Sequence, residues 1–174
     1  MKVIFLSVFS LILGCNSIKE FEYISNSNDR KYKDFVSQHD ANTYTNIVSK
    51  KGTFYLYKPC DLGFQQLIEI NDNKIVIEAG ETFEYQIKSV IHNNDFIDYE
   101  IYNDFGKGNL LMKTLDDNKV LFKLKDKDTI SYFLMTSFSS ATNYPLIIHH
   151  CNEKRAEIDF DSFDLERIWH HGFE

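Results

Sequence analysis

Residues 66–102 read QLIEINDNKIVIEAGETFEYQIKSVIHNNDFIDYEIY, and the periodicity of this stretch decides the fold. Gln66 to Ile70 and Lys74 to Ala79 are short apolar-rich runs flanking Asn71-Asp72-Asn73, a polar turn composition of the kind that joins antiparallel strands. Phe83, Tyr85 and Ile87 then alternate with Glu84, Gln86 and Lys88. After Asn93-Asn94 the alternation resumes, with Ile97, Tyr99 and Ile101 set against Asp98, Glu100 and Tyr102. A period of two sends successive side chains to opposite faces of a sheet, one against a core and one towards water.

The same pattern extends outward in both directions. Towards the N-terminus, Phe54 to Tyr57 is an aromatic-rich strand that ends at Pro59-Cys60. Towards the C-terminus, Gly106-Lys107-Gly108 marks a loop, and Leu110 to Leu115 and Val120 to Lys125 flank the turn Asp116-Asp117-Asn118. Val120, Phe122 and Leu124 are expected to point inward, against Lys123 and Lys125. Asp126-Lys127-Asp128 turns into Ile130 to Phe138, and Tyr144 to Cys151 gives the last strand. No long helical crossover interrupts these short connections. The chain is therefore predicted to be mainly β, an antiparallel up-and-down meander of about eight or nine strands forming a barrel or a two-layer sandwich, with short N- and C-terminal helices.

The flanks supply those helices. Tyr32, Phe35, Val36 and His39 fall at i, i+3, i+4 and i+7, one helical face, with Asp29 placed to cap it. Residues 41–50 suit either a helical turn or a strand, with Tyr44, Ile47 and Val48 as its apolar positions. Near the C-terminus Asp161 is placed to cap a helix carrying Phe163, Leu165, Ile168 and Trp169, with acidic residues at its positive end. Both helices are expected to cover an end or edge of the sheet.

Composition narrows the function classes. The chain has 174 residues, 43% of them hydrophobic, enough for one domain with a core; its two prolines and seven glycines leave little for a long linker. The net charge is −7 with no Lys/Arg cluster, which argues against nucleic acid and suits a basic protein partner.

The N-terminus sets the compartment. Met1-Lys2 is a short positive region, Val3 to Leu13 an apolar run too short to span a membrane, and Ile12-Leu13-Gly14-Cys15 follows. This ending resembles the lipobox of bacterial lipoproteins: a branched apolar residue at −3, a small residue at −1, then cysteine. Ile12 and Leu13 depart mildly from the family's preference. The resemblance implies cleavage before Cys15 and acylation of that residue, several acyl chains giving stable anchoring. It also implies, with Asn16 after the cysteine, an outer-membrane protein facing the periplasm or the cell surface. Lys19-Glu20-Phe21-Glu22 is similar to the acidic export signals of Bacteroidota lipoproteins, although a solvated tether is the preferred reading. The expected organisation is a signal peptide at 1–14, a tether and short helix at 15–50, and a β-domain with a C-terminal tail at 51–174.

Outside the reducing cytosol, Cys60 and Cys151 are expected to form a disulfide. They end the first strong strand and the last, which become neighbours when a meander closes. The chain-entropy account gives such a long loop about 4–5 kcal/mol of stabilisation.

Chemistry-bearing motifs are weak. His149, His150, His170 and His171 are the candidate metal ligands. On a strand His149 and His150 face opposite ways, so no metal is expected. The acids Asp159, Asp161 and Asp164 lack the glycine and final glutamate of a calcium loop. Ser139 and Ser140 have no nucleophile-elbow context. No cofactor and no catalytic residue is expected. The favoured function is a lipid-anchored envelope protein without catalysis, binding and neutralising a protein partner such as a toxin or an envelope enzyme. In architecture and location it is similar to small periplasmic lysozyme inhibitors and to immunity proteins. The alternatives are a lipocalin-like carrier of a small apolar ligand, against which the Gly-x-Trp opening motif is missing, and a structural lipoprotein of the envelope.

Overall fold

A computed structural model describes residues 21–61, 65–150 and 158–173. The signal sequence, Cys15 and Cys151 lie outside the described residues. Eleven strands form: β1 (Phe21–Ile24), β2 (Thr43–Lys50), β3 (Thr53–Lys58), β4 (Gln66–Ile70), β5 (Lys74–Ala79), β6 (Glu81–His92), β7 (Ile97–Asn103), β8 (Gly106–Thr114), β9 (Val120–Asp126), β10 (Thr129–Ser137) and β11 (Leu146–His149). Helices α1 (Arg30–Val36) and α2 (Leu165–His171) and a 3₁₀ segment at Phe138–Asn143 are the helical elements among the described residues.

Seven of these strands, β4 to β10, run as an antiparallel meander with each strand beside the next. Strand β2 closes it into a ring. Its first residues pair with β4 (Thr43↔Glu69, Thr45↔Leu67) and, on the other edge, with β10 (Thr45↔Thr136, Asn46↔Met135). The mainly β, barrel-like architecture expected from the alternating pattern is present, with eight strands in the ring. The remaining half of β2 leaves the ring, since Ile47 to Lys50 pair with β3 in a side sheet ordered β2-β3-β11-β1. Strand β11 runs parallel to β3, with Ile148 opposite Lys58.

An eight-stranded ring is just wide enough for its own side chains to fill. Ile68, Ile75, Ile101, Leu110, Phe122 and Met135 point inward and are fully buried. A second core lies outside the ring. Leu67, Leu111, Leu121 and Leu134 face away from the barrel and pack beneath Tyr32 and Phe35 of α1, Ile168 and Trp169 of α2, and the inner face of the side sheet. Strands β4 and β8 to β10 are thus covered on both faces, and their sequences run apolar at consecutive positions (Leu110-Leu111, Leu121-Phe122, Phe133-Leu134-Met135). Strands β5 to β7 keep one wet face and alternate cleanly.

Both flanking helices form. Asp29 caps α1 by accepting from the Lys31 amide, and Tyr32 and Phe35 are its buried positions. The Tyr32 hydroxyl lies between the carbonyls of Ala141 and Tyr144, tying α1 to the 3₁₀ segment, and burial pushes its pKa up to about 12. At α2 the capping residue is Asp164, not Asp161. Asp161 instead accepts from the Ser49 hydroxyl (2.5 Å) and from the amides of Gly52 (2.9 Å) and Lys51 (3.1 Å). Lys51 and Gly52 both have positive φ, as a tight two-residue hairpin demands. Their amides converge on one carboxylate, which the sequence pattern did not reveal.

Three further differences have local causes. Phe21–Ile24, expected within the tether, forms β1 against β11. The loop expected at Gly106-Lys107-Gly108 sits two residues earlier, because the Asn103 side chain accepts from the amides of Phe105 and Gly106 and turns the chain there. Lys123, expected to be solvated, faces outward but is buried, its ammonium over the rings of Tyr132 (5.1 Å) and Trp169 (5.6 Å). Cys60 is disulfide-bonded, and its partner lies outside the described residues.

Gly108 lies in β8 opposite Asp126, where a Cβ would sit 2.4 Å from the Lys125 carbonyl oxygen. The Gly108→Ala variant is expected to lose about 1–3 kcal/mol of stability, as overpacking against unyielding backbone does. Urea unfolding would measure this, and an unchanged midpoint would contradict the close approach of β8 and β9.

Candidate functional site

Two surfaces of the ring stand out among the described residues. The first is the uncovered outer face of β5, β6 and β7. Glu78, Glu84, Asp98 and Glu100 alternate there with Lys74 and Thr82, and the face is organised by cross-strand contacts. Lys88 donates to Glu100 (2.6 Å), Ser89 also donates to Glu100 (3.0 Å), and Asn109 donates to Asp98 (2.8 Å). The contacts of Lys88 and Ser89 hold the Glu100 carboxyl below its ordinary range. Ile91 and Tyr102 project from this face, and Phe105 from the adjoining β7–β8 turn; all are exposed, Phe105 at 75%. Large exposed aromatic side chains among charged groups are the composition of a non-obligate protein interface.

The second surface is one mouth of the ring. The pairing of β6 with β7 shifts between Ile87 and Ser89. The extra residue, Lys88, is a β-bulge that turns both Ile87 and Val90 inward, opposite Ile101 and Tyr99. Tyr44 of β2 reaches the same space, its ring edge-on to Phe122 at 5.0 Å. Together with Ile70 these side chains floor a cavity of about 310 Å³, and Asn42, Asn71 and Asp72 form its rim. Burial raises the phenol pKa values of Tyr44 and Tyr99, and the Tyr44 phenol adds to the rise at Tyr99.

The candidate ligands named from sequence do not converge. His149 Nδ1 lies 3.0 Å from the Tyr57 hydroxyl, and its ring packs on Phe21. His150 Nε2 lies 3.1 Å from Glu22, which also takes the Lys31 ammonium at 2.6 Å. His170 and His171 close the last turn of α2, where positive charge suits the helix dipole. Among the described residues no group of three or more His, Cys, Asp or Glu side chains is placed to hold a metal ion. Asp161 and Asp164 serve the hairpin and the helix cap. The Ser139 hydroxyl pairs with that of Ser137 at 2.7 Å. Cys15 and Cys151 cannot be placed, being outside the described residues. No described helix is long and apolar enough to cross a membrane.

Comparison with known proteins found no matching family model, no matching curated protein and no matching solved structure.

A third cluster bears on stability. The His39 ring stacks on Phe138 at 4.3 Å and lies beside Phe35, with Glu78, Asp40 and Glu69 the acidic groups around it. Burial lowers its pKa from 6.5 and outweighs the opposing pull of those carboxylates. The folded state therefore favours the neutral ring. The stabilisation is complete above the unfolded-state value and is lost as pH falls through the lower, folded-state value. Between about pH 7.5 and 5.5 the melting temperature is expected to fall more steeply for the natural chain than for His39→Phe, which keeps the stacking without the titration. Parallel curves would contradict a half-buried His39 that favours its neutral form in the folded state.

Proposed function

We propose that this chain is a lipid-anchored, non-catalytic binding protein of the bacterial cell envelope that captures and neutralises a protein partner. The observation that carries the reading is the division of labour in the ring. Its centre is filled by its own side chains, the outer faces of β4 and β8 to β10 are covered by the side sheet and helices, and β5 to β7 are left as an exposed face bearing Ile91 and Tyr102, with Phe105 on the adjoining turn. A carrier needs an interior chamber, whereas a scaffold needs a stiff frame and one free surface. A sheet face held by cross-strand bonds binds with little ordering cost. The charge of −7 favours a basic partner by long-range steering.

The remaining parts of the proposal come from the sequence. Acylated Cys15 would tether the domain to the outer membrane, facing the periplasm or the cell surface. A Cys60–Cys151 bridge would lock β3 and β11, whose parallel pairing sets Ile148 opposite Lys58.

Cross-linking in envelope extracts, followed by isolation of the linked polypeptide, tests the reading. A basic protein should bind the natural domain, and Ile91→Ser with Tyr102→Ala should weaken its binding by about tenfold or more, as loss of buried apolar anchors does. Lys33→Glu, on the far helix, should leave binding unchanged. Labelled palmitate should enter the full chain and not Cys15→Ser. Absence of any partner, or binding indifferent to the β6–β7 substitutions, would overturn the capture reading.

A further inference from the structure

The mouth of the ring has no part in that reading, and its chemistry is specific enough to name a ligand class. Its floor combines two aromatic rings, Tyr44 and Tyr99, with the aliphatic side chains of Ile70, Ile87 and Val90. Its rim carries two amides, Asn42 and Asn71, and Asp72, the one charged side chain among the lining residues. The rim is fixed by backbone bonds: the Ile70 amide donates to the Asn42 carbonyl (3.2 Å), and the Asn71 amide to the Lys74 carbonyl (2.9 Å). The Ile87 amide donates to the Asn73 carbonyl (2.9 Å), joining the bulge to the β4–β5 turn.

Neither Tyr44 nor Tyr99 makes a hydrogen bond through its hydroxyl among the described residues, although both rings are largely sequestered. A phenol is neutral near pH 7, so the floor is uncharged and consists of two aromatic rings and aliphatic carbon. Lys74, the closest basic residue in sequence to the rim, turns to the outer face and pairs with Glu84 at 3.5 Å. The cavity therefore holds one negative charge above an aromatic and aliphatic floor.

We propose that this mouth binds a cationic group carried on an apolar stem, an alkylammonium or a guanidinium. The charge sits between Asp72 and the faces of Tyr44 and Tyr99, where ring quadrupoles and a carboxylate attract it together. The stem displaces water from Ile70, Ile87 and Val90. An anion would meet the Asp72 carboxylate, and a purely apolar molecule would strip water from Asp72 and the two amides without replacing their hydrogen bonds. The lower size bound of ordinary ligand cavities, about 300 Å³, matches a single side-chain-sized group and not a large lipid. The same chemistry is offered by a free organic amine and by a lysine or arginine side chain of a protein. The proposal rests on the mouth alone and stands or falls separately from the capture of a protein on β5 to β7.

The test is a titration of the isotope-labelled full chain, followed by amide and tyrosine-ring NMR. The probes are n-hexylammonium and Nα-acetyl-arginine amide, with 1-hexanol and Nα-acetyl-citrulline amide as uncharged counterparts. Both cations should give saturable shifts confined to Tyr44, Val90, Tyr99 and the β4–β5 turn. The uncharged probes should bind about tenfold more weakly or worse. Asp72→Asn should weaken cation binding by about the same factor, and Val90→Trp, which fills the mouth, should abolish it. Thermal melts of both variants establish that they remain folded. Tighter binding of the arginine amide would assign the site to a polypeptide side chain, and tighter binding of hexylammonium to a free amine. Shifts that do not saturate, that spread equally over the other carboxylates, or that the uncharged probes reproduce would overturn the proposal.

Discussion

The divided pairing of β2 is the constraint on which the rest of the structure depends. Thr43 to Asn46 sit between β4 and β10 and turn a seven-strand meander into a ring; Ile47 to Lys50 diverge to start the side sheet. A single strand thereby removes both open edges of the meander, which would otherwise present unpaired backbone groups to other chains. Its side chains follow the same division. Tyr44 points into the barrel, while Thr43, Thr45 and Ile47 point into the layer between the barrel and its covering helices. Beyond the ring, Ser49 and the Lys51-Gly52 turn hold Asp161, which brings the C-terminal segment across the barrel and delivers Trp169 to its place over Lys123.

That C-terminal segment is secured by rings and cations more than by helix propensity. An isolated helix as short as α2 would not persist in water. Phe163 stacks on Phe54 at 5.7 Å, Phe173 meets the same ring edge-on, and Lys119 lies 4.9 Å above it. The Lys113 ammonium donates to the Trp169 carbonyl at 2.6 Å, capping the negative end of α2. The result covers the outward leucines of β8, β9 and β10 and leaves β5 to β7 bare. The free face is thus a consequence of where the C-terminal segment docks.

Where turns and alternation agreed, the sequence was a sufficient guide. Gln66–Ile70 and Lys74–Ala79 have the boundaries that Asn71-Asp72-Asn73 implied, and α1 has the cap and buried face that Asp29, Tyr32 and Phe35 implied. Strand β2 was ambiguous because its outward threonines are buried: a polar alternation normally marks a wet face, and here a second layer covers it. Lys123 is hidden from pattern reading in the same way, since two aromatic faces take the place of the solvent around its charge. The mouth was not legible at all. It assembles Tyr44 with Tyr99, more than fifty positions away, and depends on a bulge at Lys88 that no turn residue announces. The uncovered face was visible only as alternation, because nothing local indicates which strands the helices will cover.

Amide hydrogen exchange across β2 tests this account most directly. If the first half of β2 closes the ring, the amides of Tyr44 to Asn46 should be among the slowest in the protein, exchanging only on global opening together with those of Ile68 and Met135. The short edge strand β1, paired on one side, should exchange much faster. Exchange of the Tyr44–Asn46 amides at the rate of exposed loops, with β4 and β10 still protected, would show that the meander is open and would contradict the ring on which both the free face and the mouth depend.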